Sequence, residues 1–92
     1  MRLKINQRFS KKLLAQVKYI AEDKPEAAAK FYADVLKSLQ ELKQFPLKHR
    51  QSIYAEDENV RDLIFKGYTI TYRINYAESC IEVFSLLKHQ KS

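Results

Sequence analysis

Hydrophobic and polar positions alternate most regularly between residues 60 and 74, where VRDLIFKGYTITYRI holds two β-branched and aromatic runs. Only Lys66-Gly67 separates the runs, and Gly67 is the single glycine in 92 residues. A two-residue connection needs a residue that tolerates positive φ, which glycine does without a Cβ clash. The spacing predicts a hairpin of strands over 60–65 and 68–74. In the second strand Tyr68, Ile70, Tyr72 and Ile74 share one face and Thr69, Thr71 and Arg73 the other, the period of a half-buried strand.

Alternation recurs at both ends of the chain. Residues 2–8 set Leu3 and Ile5 against Arg2, Lys4, Asn6 and Arg8, which predicts a short strand with one basic face. Residues 80–87, after a polar turn over 75–79, set Ile81, Val83 and Ser85 against Glu82, Phe84 and Leu86. Between these ends the period lengthens. Ser10 is placed as an N-cap, with Phe9 ahead of it to staple onto Leu14. The helix expected over 10–23 carries Leu13, Leu14, Val17, Ile20 and Ala21 on one side, with Lys11, Lys12, Gln16 and Lys18 mostly away from it.

Asp23-Lys24-Pro25 stops this helix and begins another. Pro25 suits a first helical position, and Glu26 sits favourably near the positive end of the helix dipole. Ala27, Ala28, Phe31, Val35, Leu39 and Leu42 then recur at helical spacing as far as residue 44, where Phe45-Pro46 follows. So short a break makes the helices an antiparallel hairpin. The irregular stretch 47–59 joins His49 and Arg50 to the acidic run Glu56-Asp57-Glu58, with Ile53 and Tyr54 either adding a short strand or pinning the loop to the core. Residues 88–92 form a basic tail. The order is strand, helical hairpin, then an antiparallel three-strand meander: a single α+β domain over 1–92, its helices covering the sheet.

Length allows one modest core, and 46% hydrophobic with 30% charged residues is an ordinary globular balance. No apolar run approaches a membrane span, and MRLKINQRF lacks the apolar segment of a secretory signal, so a soluble cytoplasmic protein is expected. The lone Cys80 excludes an intramolecular disulfide and a cysteine-rich metal site. The net charge of +6 is lopsided: residues 1–44 carry ten Lys/Arg against five Asp/Glu, residues 45–92 seven against six. The basic N-terminal half suits either a solvated surface or an acidic partner or nucleic acid. There is no phosphate-cradling glycine loop, paired-carboxylate site or metal-ligand spacing, so no cofactor or metal is expected.

The order of elements and several local motifs resemble the ParE/RelE superfamily of toxins from bacterial type II toxin–antitoxin modules. The likeness is carried by the basic first strand, Tyr19-Ile20, Pro25-Glu26-Ala27-Ala28 leading to Phe31, and then Leu39, Leu42 and Pro46. Val60-Arg61-Asp62-Leu63, Gly67-Tyr68, Tyr72-Arg73-Ile74 and Lys88-His89 complete it. The resemblance implies either a ParE-like inhibitor of DNA gyrase without a catalytic site of its own, or a RelE-like nuclease that cuts mRNA on the ribosome. A nuclease needs a base for the 2′-hydroxyl, an acid for the leaving oxygen and cations for the phosphate. Here the strand that carries lysines in RelE resembles Val60-Arg61-Asp62, and no tyrosine follows Tyr76. The ParE-like reading is therefore favoured, with Arg61, Arg73, Lys88 and His89 as the catalytic candidates of the alternative.

Each candidate also has a plain structural reading. Arg61 and Arg73 fit either surface ion pairs, with Asp62, Glu82 or the acidic loop, or contact with a target or with antitoxin carboxylates. His89 is an acid–base candidate or a solvated tail residue, and His49 a weaker candidate still. Tyr19, Tyr32, Tyr68 and Tyr72 read as core-edge residues, Asp62 as an ion-pair partner of Arg61, and Lys66 as an exposed hairpin tip. Antitoxins of this class resemble disordered, often acidic chains that fold around the toxin. By that resemblance Arg2, Lys4, Arg8, Lys11, Lys12 and Lys18, with Arg61 and Arg73, are the binding candidates. The open ends of a four-strand sheet and grooves beside the helical hairpin would receive the partner.

Overall fold

The computed structural model describes residues 1–89, so Gln90, Lys91 and Ser92 of the expected basic tail lie outside the described residues. Its elements are β1 (Arg2–Ile5), α1 (Gln7–Asp23), α2 (Pro25–Leu42), β2 (Arg50–Gln51), β3 (Val60–Phe65), β4 (Tyr68–Asn75) and β5 (Cys80–Lys88). One five-stranded sheet runs in the order β1-β5-β4-β3-β2. The meander β3-β4-β5 is antiparallel, whereas β1 lies parallel to β5, from Arg2 opposite Cys80 to Ile5 opposite Val83. An α+β architecture with two helices and a mostly antiparallel sheet results.

The core forms where the helical hairpin covers one face of this sheet. Phe9 and Leu13 of α1 and Phe31, Val35, Leu39 and Leu42 of α2 meet Leu63, the row Tyr68, Ile70, Tyr72 and Ile74, and Ile81, Val83 and Leu86. The Phe31 ring lies 5.0 Å from Tyr68 and 6.1 Å from Phe65, both tilted. Burying each such side chain contributes about 1.5–3 kcal/mol.

Four local expectations are corrected. The first strand ends at Ile5 rather than residue 8, because Asn6 does two jobs. Its backbone N–H still donates to Val83 O at 2.8 Å, while its side-chain oxygen accepts from Arg8 N at 2.6 Å. Asn6, not Ser10, is therefore the N-cap, and α1 starts at Gln7. Phe9 then falls inside the first turn and is buried, while Leu14, its expected staple partner, is 54% exposed. Second, α2 closes at Leu42 rather than at residue 44, since Gln44 N and Phe45 N both bond Glu41 O in a turn.

Third, the sheet has five strands rather than four. Arg50–Gln51 pairs with Arg61 and Asp62, whereas Ile53 and Tyr54 are 69% and 70% exposed and form no strand. Fourth, β5 carries a bulge. Thr71 faces Ser85 and Tyr72 faces Val83, which leaves Phe84 without a counterpart. One extra residue turns every later side chain to the opposite face, so Leu86 joins Ile81 and Val83 in the core instead of pointing away from them.

The hairpin tip is as the glycine implied. Lys66 at φ 44° and Gly67 at φ 81° have the two positive φ values of a type I′ turn. A Cβ on Gly67 would meet nothing within 4 Å, so only the backbone conformation opposes substitution. Gly67→Ala is expected to cost about 1–2 kcal/mol, read as a lower urea midpoint at unchanged m-value. An unchanged midpoint would show that the turn is not what holds β3 and β4 in register.

Candidate functional site

The strand register sorts the basic candidates onto separate surfaces. Arg2 and Lys4 of β1 stand opposite Cys80 and Glu82, and Glu82 in turn faces Arg73 across β4. Cross-strand partners share a face, so Arg2, Lys4 and Arg73 gather on the side of the sheet away from the helices. Arg73 Nε donates to Glu82 Oε1 at 3.0 Å, leaving Lys4 as an exposed cation beside that pair. Arg8, Lys11 and Lys12 line the start of α1 together with Asn6 and Gln7, and all three cations are exposed. This first turn holds no acidic residue. Cations near a positive helix end are unfavourably placed by a few tenths of a kcal/mol each, on the order of the macrodipole effect. Lys18, exposed further along α1, lies apart from that cluster.

Arg61 belongs to neither surface. Adjacent strand residues point to opposite faces, which is why the expected Arg61–Asp62 ion pair does not form. Arg61 turns instead toward the loop before β3. Its Nε donates to Glu58 O at 3.1 Å, and Nη1 to His49 O at 2.8 Å and Leu47 O at 3.4 Å. The Tyr72 hydroxyl, from the same register pair, donates to Pro46 O at 2.6 Å, and the His49 ring stands edge-on to Tyr72 at 6.2 Å. Arg61 and Tyr72 thus form a clasp on the irregular segment between α2 and β3.

Asp62, on the helix-free face, is buried. Its Oδ1 accepts from Thr71 Oγ1 at 2.9 Å, and its Oδ2 has no partner among the described residues. Arg50 stands opposite it in register without forming an ion pair. The buried Asp62 carboxylate carries no motif that would have distinguished it in the sequence from a surface acid.

Lys88 and His89 sit at the other end of β5. Lys88 Nζ lies 5.5 Å above the Tyr19 ring, which is 66% exposed rather than at a core edge. The His89 backbone N–H donates to Gly67 O at 2.8 Å, and its Nε2 is hydrogen-bonded to the hydroxyl of buried Thr69. At about 3.3 Å per residue, Arg73 lies roughly 13 Å along β4 from Thr69 and hence from His89. The structure therefore does not bring Arg61, Arg73, Lys88 and His89 together. Lys66 at the hairpin tip pairs with Asp34 at 3.0 Å, and that bond, with a second from Lys30, holds the Asp34 carboxyl below its ordinary range.

Three solved structures share this arrangement of helices and sheet. A structure described as the chromosomal ParDE toxin–antitoxin system of P. aeruginosa superposes with a TM-score of 0.79 at 19% identity, covering 98% of this chain and 97% of that one. The isolated RelE toxin of E. coli gives 0.65 at 16% identity over 99% of this chain and 86% of that one. The intact E. coli RelBE toxin–antitoxin complex gives 0.56 at 17% identity over 98% of each chain. The fold is that of the ParE/RelE toxins. Residues 3–92 match the family model of the ParE toxin of type II toxin–antitoxin systems, and the chain belongs to that family. No curated protein sequence matches it.

The clasp makes stability depend on pH at both extremes. Burial, only partly opposed by Arg61 and the bonded backbone, pushes the Tyr72 phenol from 10 up to about 12. The unfolded chain ionises Tyr72 from pH 10, so its contribution is complete below pH 10 and lost as pH rises toward 12. His49 is held below its ordinary 6.5 by burial and by Lys48, against an opposing pull from Glu41. Its contribution is present above pH 6.5 and is lost as pH falls below that value.

Urea unfolding across pH should show both slopes. Tyr72→Phe is expected to reduce the alkaline slope, leaving the part due to Tyr68, whose phenol burial also pushes up, at a cost of about 1 kcal/mol near neutrality. An alkaline slope unchanged in that variant would place its origin elsewhere. Arg61→Ala removes three bonds to carbonyls, two of them solvent-exposed, and should cost about 0.5–1.5 kcal/mol, with faster amide exchange at Gln51 and Ser52. Equal exchange in the two proteins would mean that the loop is held by other contacts.

Proposed function

We propose that this ParE-family toxin acts in the cytoplasm as a non-enzymatic inhibitor of DNA gyrase and is neutralised by a small cognate antitoxin. The observation that carries the reading is the dispersal of the four residues on which RNA cleavage would depend. Arg61 is spent on backbone carbonyls, Arg73 on Glu82, and His89 is bonded to Thr69 at the far end of the sheet from Arg73. A general acid or base must lie within hydrogen-bond reach of the group it serves, and a phosphate near His89 is out of reach of Arg73. The alternative, a RelE-like enzyme acting on mRNA in the ribosome, has the shared fold in its favour and this separation against it.

The antitoxin reading is supported by two features. The outer edge of β1 is a sheet edge, with Arg2 and Lys4 beside it, so an added strand finds unpaired backbone groups there. Arg8, Lys11 and Lys12 at the α1 N-terminus, and Lys18 beyond, favour an acidic partner over a neutral one.

Purified toxin freed of antitoxin is expected to inhibit gyrase supercoiling and to accumulate cleaved DNA. His89→Ala and Arg73→Ala should leave that inhibition intact. Cleavage of message on translating ribosomes by the wild-type protein, lost in either variant, would establish the enzymatic alternative instead.

A further inference from the structure

Residues 45–58, between α2 and β3, hold apolar side chains that the core does not take up. Phe45 and Leu47 are 58% and 56% exposed, and Ile53 and Tyr54 more so. The backbone beneath them is nonetheless fixed. Arg61 bonds the carbonyls of Leu47, His49 and Glu58, so both ends of the segment close on one guanidinium, and Tyr72 holds the Pro46 carbonyl. Between those ends Ser52 N donates to Val60 O at 2.7 Å. Apolar groups left exposed on an ordered segment mark an interaction surface, because the cost of ordering falls on folding rather than on binding.

The charges along the same segment single out the partner. Lys48 and Arg50 lie five and three residues before Ile53, and Glu56 and Glu58 lie three and five residues after it. All four are exposed, and none enters an ion pair among the described residues. The pattern is antisymmetric about Ile53, cationic before it and anionic after. A two-fold axis exchanges the two sides, since residue i of one copy meets j of the other and j meets i. A foreign partner of a single sign would be attracted by one half of the segment and repelled by the other.

We infer that residues 45–58 form a self-association surface, joining two copies of this chain about a two-fold axis near Ile53. Lys48 then faces the second copy's Glu58 and Arg50 its Glu56, each pair made twice, around a centre of Ile53 and Tyr54 from both copies. β2 is only two residues long, so side chains rather than an extended ladder carry the contact. A stable interface takes about 800 Å² from each partner, roughly an eighth of the 6438 Å² that this chain exposes. One segment lies at the low end of that class, which makes the dimer concentration-dependent. β1, at the opposite edge of the sheet, stays open in such a dimer, which depends on neither the gyrase nor the antitoxin reading.

The test is sedimentation velocity of the purified full chain, over about a hundredfold range of concentration and at low and high salt. The wild type should shift from one chain mass toward two as concentration rises, and less so at high salt. Ile53→Asp sets two carboxylates at the axis from an exposed position and should leave a folded monomer. Lys48→Glu and Glu58→Lys should each weaken the dimer about tenfold, since either one sets two like-charged pairs across the axis. An equimolar mixture of those two variants should recover the association, because opposite charges then meet again at both pairs. Lys37→Glu, on α2, should dimerise as the wild type does, and thermal melts confirm the folding of each variant.

A wild type that stays monomeric at every concentration would overturn the inference. A dimer that Ile53→Asp leaves intact would overturn it too, by placing self-association elsewhere on the surface. A mixture no more associated than its separate components would overturn the two-fold exchange of charge. Loss of antitoxin affinity or of gyrase inhibition in Ile53→Asp, with the wild type monomeric, would give the segment to that partner instead.

Discussion

β4 is the strand on which the others depend, because it is paired on both edges and buried on one whole face. Tyr68, Ile70, Tyr72 and Ile74 form an unbroken apolar row beneath α1 and α2, and β3 and β5 exist as a sheet only by pairing with the strand that carries it. A strand bonded on two sides has few alternatives in register, since a slip of one residue would move the whole row into solvent. Tyr72 extends the constraint beyond the sheet. Its ring is enclosed in the core while its hydroxyl reaches the Pro46 carbonyl, so the same side chain orders the loop after α2.

Basic character is spread around this frame rather than concentrated in it. The helix-free face holds Arg2, Lys4 and Arg73 about Glu82, the start of α1 holds Arg8, Lys11 and Lys12, and the end of β5 holds Lys88. Such a distribution favours acidic protein partners approaching from several sides. An RNA-cutting centre would instead need its cations and its acid–base groups within one nucleotide's span, and β4 and β5 hold Arg73 and His89 apart. Family membership and fold do not separate these activities by themselves, since function resides in the residues grafted onto the fold.

Particular residues show why some features were legible and others not. The Lys66-Gly67 turn was legible because a two-residue connection leaves little alternative to positive φ, and glycine is the residue that accepts it most readily. The α2 stripe was legible because Phe31, Val35 and Leu39 repeat over many turns. The N-cap was not, since Ser10 and Asn6 both carry capping oxygens and only the bond from Asn6 N to Val83 O decides between them. Phe84 defeated the alternation in β5, because a bulge is defined by the partner strand and leaves no mark in its own composition. The same holds for Arg61: strand parity excluded its neighbour Asp62, but its carbonyl partners come from a loop up to 14 residues away.

The sequence by itself therefore determined what repeats locally: two amphipathic helices, a hairpin centred on one glycine, alternating strands, a basic N-terminal half and a recognisable family. Those features follow from periodicity and from the conformational limits of single residues. Tertiary structure alone decided that β1 runs parallel to β5, that Arg50–Gln51 closes the far edge, and that Arg61 clasps a loop. It also brought Lys12 of α1 to the Leu86 carbonyl of β5, 74 residues away in the chain. Contacts of that separation depend on how the sheet orders its strands and where β5 bulges, and neither is written in the local pattern of any one segment.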